Sequence, residues 1–200
     1  MRIVILLTAL LVAVSGCGRW VTDYRAKINP VVTPYFDVTG IEVDVPYTLT
    51  TSEERIPAPD ADIVWQEPFS GDRHKQVAAI FTEAAEIGTK KLNGPRKVTL
   101  KIEVKRFHAL TEFARVWAEN SGVHHIIFTA QFLDAKTDEP LFDPIPIQAD
   151  LIAYSGRQSE RARAAGETQQ VRITRHLAQT IDGWVGTGPD NRGDFWRFGF

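Results

Sequence analysis

Residues 96–107 read RKVTLKIEVKRF. Val98, Leu100, Ile102 and Val104 alternate with Lys97, Thr99, Lys101, Glu103 and Lys105. Successive side chains of an extended chain point to opposite faces, so this segment is a strand with one apolar and one wet face. An apolar sheet face has to be covered by a second layer, and a wet opposite face points to antiparallel pairing.

Two helices can supply that layer. From about Asp72 to Leu92, Val77, Ile80, Phe81, Ala84, Ile87 and Leu92 recur at helical spacing. Ser70 or Asp72 can cap the start, and Asn93-Gly94-Pro95 stops it. From about Thr168 to Trp184, Val171, Leu177, Ala178, Ile181 and Trp184 form a second stripe that ends at Gly186. Residues 41–45 (IEVDV) and 123–134 alternate as strands. A third strand, about 147–154, follows the 134–140 turn, and Pro144 and Pro146 make it an edge or a bulged strand. Ile63-Val64-Trp65 reads as a short strand or a plug, and 155–167 (SGRQSERARAAGE) as a polar, flexible loop. The predicted class is α+β: a two-layer sandwich, a mainly antiparallel sheet of about four strands with two helices on one face.

Upstream of this domain, Arg2 precedes an apolar run at 3–14 (IVILLTALLVAV). A positive residue followed by a short apolar stretch is a secretory signal, too short for a membrane span of roughly 20 residues. Val14-Ser15-Gly16-Cys17 resembles a bacterial lipobox, in which the cysteine sulfur is diacylglycerylated and cleavage falls just before it. The resemblance implies a signal peptide over 1–16, Cys17 as lipid attachment site, a lipidated tether over 17–40, and one domain over 41–200. Each buried CH₂ contributes about 0.8 kcal/mol, so two or three acyl chains hold a protein firmly to a bilayer. Gly18 departs from the aspartate that often marks inner-membrane retention. The expected location is therefore the periplasmic side of a bacterial membrane, with the outer membrane favoured. Within the tether, Trp20, Tyr24, Tyr35 and Phe36 can pack back on the domain or lie near headgroups.

Cys17 is the single cysteine. With its sulfur acylated no internal disulfide can form, and the core alone must stabilise the domain. Removing 1–16 takes one arginine from 23 basic residues and leaves 22 against 25 acidic ones, so no strong positive field points to nucleic acid.

Gly71-Asp72-Arg73-His74 before the first helix, with 106–112 (RFHALTE) after the central strand, resembles an uncharacterised family of proteobacterial lipoproteins. That family implies location and fold rather than chemistry. The element order is also similar to envelope assembly and transport-auxiliary lipoproteins, but fold analogy is a weak warrant for function.

Candidate sites are few. Arg106, His108, Glu112 and Arg115 form a polar cluster suited to an anionic ligand or partner, with arginine making paired bonds, or to fixing the 108–121 connection by pairing among themselves. The second role is favoured. His124-His125 invites a metal, but neighbours on a strand face opposite ways and no second ligand pair completes a site. Asp72 and its neighbours suit helix capping better than anion binding. Arg157, Arg161 and Arg163 suit a solvated loop or contact with anionic lipid or a partner. The tail 195–200 (FWRFGF) can add a strand to a partner's edge or pack on its own domain; a barrel is rejected for want of strands. No G-x-S-x-G elbow or free thiol nucleophile is present. The expected function is a non-catalytic, membrane-anchored envelope component that binds another envelope protein, with no cofactor, no metal and no nucleic acid. The alternative is a periplasmic carrier of a small or lipid ligand. An open apolar groove favours the first, a closed cavity the second.

Overall fold

The computed structural model describes residues 17–68 and 70–199, and of Cys17 the backbone alone. The predicted signal peptide, 1–16, lies outside the described residues. The strands are β1 (Cys17–Tyr24), β2 (Phe36–Asp44), β3 (Ile63–Val64), β4 (Arg96–His108), β5 (Val123–Asp134), β6 (Ile145–Ala149), β7 (Leu151–Ile152) and β8 (Gly193–Phe198). The helices are α1 (Arg73–Thr89), α2 (Glu112–Trp117), α3 (Gly156–Ala164) and α4 (Gln169–Val185), with a 3₁₀ turn at Thr33–Tyr35.

All eight strands join one mixed sheet, in the order β2-β4-β5-β6-β1-β8, with β3 also on β4 and β7 also on β5. This corrects the expected sheet of about four mainly antiparallel strands. β2 and β3 both run parallel to β4, in register at Val43 with Ile102 and Ile63 with Phe107, because α1 carries the chain back between them. The alternation in β4 reported which face was wet, and that is silent on the direction of a neighbour. Two further strands come from segments read as tether and tail. β1 pairs with β6 on one side and with β8 on the other, with Arg19 opposite Trp196 and Cys17 opposite Phe198. Residues 155–167 also differ from the expected loop, because most of them form α3.

The core follows the periodicity. Val98, Leu100, Ile102 and Val104 are buried, and after a bulge between Val104 and Arg106 the same face continues at Phe107. Ile126, Phe128, Ala130 and Phe132 of β5 lie beside them, and α1 and α4 cover this face with Val77, Phe81, Ala84, Leu177, Ile181 and Trp184. Phe81 meets Phe107 and Phe128 edge to face, with centroids 6.2 and 5.1 Å apart. The two helices touch at Gly88, where a β-carbon would stand 2.7 Å from the Ala178 carbonyl oxygen. Side chains cap the helices as spaced: Asp72 accepts from the Lys75 amide at 3.2 Å and Thr168 from the Val171 amide at 3.3 Å. Gly186 closes α4 in the left-handed conformation, φ 82°.

The register fixes two ends. Cys17, Phe198, His108, Val123 and Ile152 lie at one end of their strands; Tyr24, Phe36, Arg96, Asp134 and Ile145 lie at the other. At about 3.3 Å per residue, the thirteen residues of β4 put these ends roughly 40 Å apart.

Candidate functional site

The predicted cluster of Arg106, His108, Glu112 and Arg115 separates into two pairs. Arg106 and His108 end β4 beside Asp62, and His108 Nε2 contacts the Ala61 carbonyl oxygen. Burial pushes the His108 pKa down. Glu112 and Arg115 sit one turn apart on α2, where the guanidinium clasps the carboxylate, Nε to Oε2 at 2.9 Å, and holds its pKa low. Arg115 is itself buried and donates on to Ser159 Oγ of α3 at 3.3 Å. The Glu112 amide is bound by Gln66 Oε1 at 3.0 Å. Arg115 is thus committed to joining α2 to α3, and its geometry suits fixing the 108–121 segment.

His124 and His125 meet different surroundings. His125 Nδ1 lies 2.7 Å from Asp150 Oδ1 and its ring packs against Trp20. His124 is fully buried on the helix-covered face, and neither of its ring nitrogens has a hydrogen-bond partner. Burial, with Arg172 and His176 nearby, pushes its pKa down to about 3. His176 of α4 is likewise pushed down by burial, to about 4. Asp150 also accepts from the Val21 amide at 2.9 Å and from Gln148 Nε2 at 2.7 Å. Thr22 Oγ1 donates to the Asp150 carbonyl and lies 3.1 Å from His176 Nε2. These bonds fasten β1 to β6 and α4. They also fix the Asp150 carboxylate beside His125. A cleft of about 620 Å³ opens beside it, but its two arginines are spent on carbonyls: Arg172 donates to Ile152 O and lies over the Tyr154 ring, and Arg197 donates to Gly122 O and Ala153 O. Among the described residues no three His, Cys, Asp or Glu side chains converge as metal ligands would.

The larger concavity lies at the other end of the sheet. It is an open groove of about 760 Å³, with apolar walls of Ile28, Val32, Tyr35, Phe36, Leu141 and Phe142 and a rim of Lys27, Arg96 and Asp143. Local chemistry sets both walls. Pro30 and Pro34 stiffen one from within, and Asn29 turns it by accepting from the Val31 amide at 2.9 Å. The Ile28 amide donates to Trp184 O at 3.0 Å and Thr33 Oγ1 to Val185 O at 2.8 Å, which pins this wall to the end of α4. Pro140 and Pro144 bracket the other wall, where Phe142 packs on Phe132 and Trp184 with centroids 6.2 and 6.4 Å away. The rim cations are matched: Lys27 to Asp190 at 3.0 Å and Arg96 to Asp134 at 3.2 Å. Val31 and Tyr35 remain 72% and 59% exposed.

The groove escaped sequence reasoning because its walls are about 110 residues apart and neither shows a period. The available signal was apolar residues interspersed with prolines, at 30–36 and 140–144. Tyr24 and Phe36 of the predicted tether are buried in the core, Trp20 is half-buried, and Tyr35 faces the groove region. The aromatic tail pairs with β1 of its own chain.

No helix among the described residues is long and apolar enough to cross a membrane. No curated protein matches the chain. Among solved structures, one similar chain is a protein from Caulobacter crescentus CB15 provisionally described as a lipoprotein, 16% identical, covering 55% of this chain and 80% of its own, with a TM-score of 0.35. Another is a PelC dodecamer from Paraburkholderia phytofirmans, 11% identical, covering 81% and 97%, with a TM-score of 0.30. Likenesses at that level carry no argument about function. The family of unknown function DUF6778 matches residues 36–199. That span takes in all but the first strand, and the chain belongs to the DUF6778 family, an uncharacterised family as the sequence resemblance implied.

Proposed function

We propose that this protein is a lipid-anchored component of the bacterial cell envelope that binds an apolar segment of another envelope protein in the groove between 28–36 and 141–145. It is a binding or accessory subunit without catalysis of its own. The observation that carries the reading is the groove itself: open and apolar, with its rim cations already matched. An open trough receives a segment that enters and leaves along its length, whereas a carrier of a free small ligand needs a closed cavity to exclude water. The anchor reading rests on the sequence at 14–17 and the apolar run before it. The non-catalytic reading is supported by the commitment of Asp150 to the Val21 amide and to Gln148, which ties strands together.

The test is a quantitative pull-down from envelopes in mild detergent, with a tag in the exposed 136–138 turn. The wild-type chain should recover one stoichiometric protein, and Val32→Glu/Tyr35→Glu should lose it while remaining folded and membrane-bound. Recovery of the same protein by both chains removes the groove from the reading. Recovery of a bound lipid in place of a protein transfers the groove to the carrier function.

A further inference from the structure

The sheet end that holds Cys17 has an exposed surface the groove does not use. Cys17 is itself in register with Phe198, so within the described residues no free chain separates it from the sheet. A lipid on Cys17 would bring the bilayer to this end of the domain without the spacer that the sequence suggested. The exposed large apolar side chains here are Trp196 and Phe198 of β8 and Phe113, Val116 and Trp117 of α2, with Trp117 at 74% and Trp196 at 70% exposure. β8 is tied to the segment that links α2 to β5: the Gly122 amide donates to Phe198 O at 2.8 Å, and Arg197 donates to Gly122 O at 3.0 Å. Phe113 and Trp117 lie together, with ring centroids 6.4 Å apart. Beside them, α3 shows Arg157 and Arg161 one turn apart, both exposed and without an ion-pair partner among the described residues. With Glu119 and Asn120 they line a recess of about 360 Å³.

Resting on the Cys17 anchor reading, we propose that this end lies against the membrane surface, with Trp117 and Trp196 at the depth of the headgroups and Arg157 and Arg161 facing anionic lipid phosphates. Indole rings prefer that interface because their apolar body and N–H donor suit a boundary between hydrocarbon and water. Arginines close to an anionic leaflet add attraction without requiring a fitted pocket. Acylation alone would leave the domain free to swing; these contacts fix one orientation and point the groove away from the bilayer.

The test uses the full chain, purified from membranes and reconstituted into vesicles of phosphatidylglycerol and phosphatidylcholine, the latter brominated near the glycerol end of its chains. Mass spectrometry first reads whether Cys17 is acylated. In an acylated chain, tryptophan emission should fall by up to about two-fifths, the share of two exposed rings among five. In a Trp20→Phe background, Trp117→Phe/Trp196→Phe should lose most of that quenching while keeping the melting curve of the background, since the remaining Trp65 and Trp184 are buried in the core. An acylated chain that shows no quenching, or quenching that survives in the double variant, overturns the orientation and leaves the anchor standing. An unacylated Cys17 in a membrane-purified chain overturns both.

Discussion

The two ends of the sheet both expose apolar side chains, but in different company. At the groove end they are arranged into a trough whose walls are stiffened by prolines and pinned to α4, and the nearby cations are matched by Asp190 and Asp134. At the Cys17 end they are dispersed over α2 and β8, and the nearby Arg157 and Arg161 lack ion-pair partners among the described residues. A shaped apolar surface with its cations matched fits a ligand that has a shape. Dispersed aromatics beside unmatched cations fit a surface that has none, such as a leaflet of anionic lipid. One chain can thus present two kinds of apolar surface for two kinds of partner.

The largest effect comes from severing what joins the ends. Leu100→Asp puts a carboxylate in the fully buried middle of β4 and should cost more than about 4 kcal/mol, abolishing cooperative melting. A wild-type melting curve would mean that the shared core is misplaced. Next, Cys17→Ala should move the protein from the membrane to the soluble fraction. A variant that stays fully membrane-bound would place the anchor elsewhere.

Acid should distinguish the ends. Burial keeps the pKa of His124 at about 3 and that of His176 at about 4, below the roughly 6.5 of an unfolded histidine. The unfolded chain then binds more protons between those values, so this contribution is complete above pH 6.5 or so and is lost as pH falls through that window. The slope approaches about 1.4 kcal/mol per pH unit for each group. At the groove end, Arg192 and Lys27 hold Asp190 well below the usual carboxylate range, so its ion pairs persist to stronger acid. Corrected for the intrinsic pH dependence of amide exchange, protection at pH 5 should therefore fall at 123–128 and 172–178 before it does at 36–43. Protection that falls equally at both ends would contradict this. His124→Leu should flatten the pH slope of melting and, by removing two unpartnered buried nitrogens, stabilise the protein at pH 7 by about 1 kcal/mol.

Smaller effects sharpen the contrast. Arg157→Gln/Arg161→Gln should weaken attraction to phosphatidylglycerol vesicles by about 1 kcal/mol per charge removed, with no change on phosphatidylcholine alone. Val32→Glu/Tyr35→Glu should alter stability by less than about 0.5 kcal/mol, because both side chains are at the surface, while emptying the groove of its partner.

Local periodicity made the central layers legible. The alternation at 98–104 placed β4, and the stripes placed α1 and α4 to within three residues, although Ile87 and Val171 of those stripes are exposed. What pairs over long separations was not legible. Arg19 meets Trp196 across almost the whole chain, and no pattern within either segment announces its partner. The parallel placement of β2 and β3 was hidden because the wet face of β4 is compatible with either strand direction. α3 was missed because 156–164 carries no apolar stripe; Arg115 and its contact with Ser159 help hold it to α2. At the candidate site the polar character of 106–115 was legible, but the short helix that pairs Glu112 with Arg115 was not, and the groove depends on two loops meeting far apart in the chain. The histidine pair could be placed on opposite faces from strand geometry, but not the isolation of His124 beside His176.

The most direct measurement exploits the single cysteine. With Cys17 acylated, Val116→Cys and Val31→Cys each offer one thiol for a spin label, one at each end of the sheet, in the reconstituted full chain. Collision with oxygen, which concentrates in lipid, and with a water-soluble nickel complex reads the depth of each label. A label at 116 in the headgroup region and a label at 31 in water is the predicted result. Equal exposure of both labels to nickel, or a label at 31 deeper than one at 116, would contradict an anchored end and an outward groove.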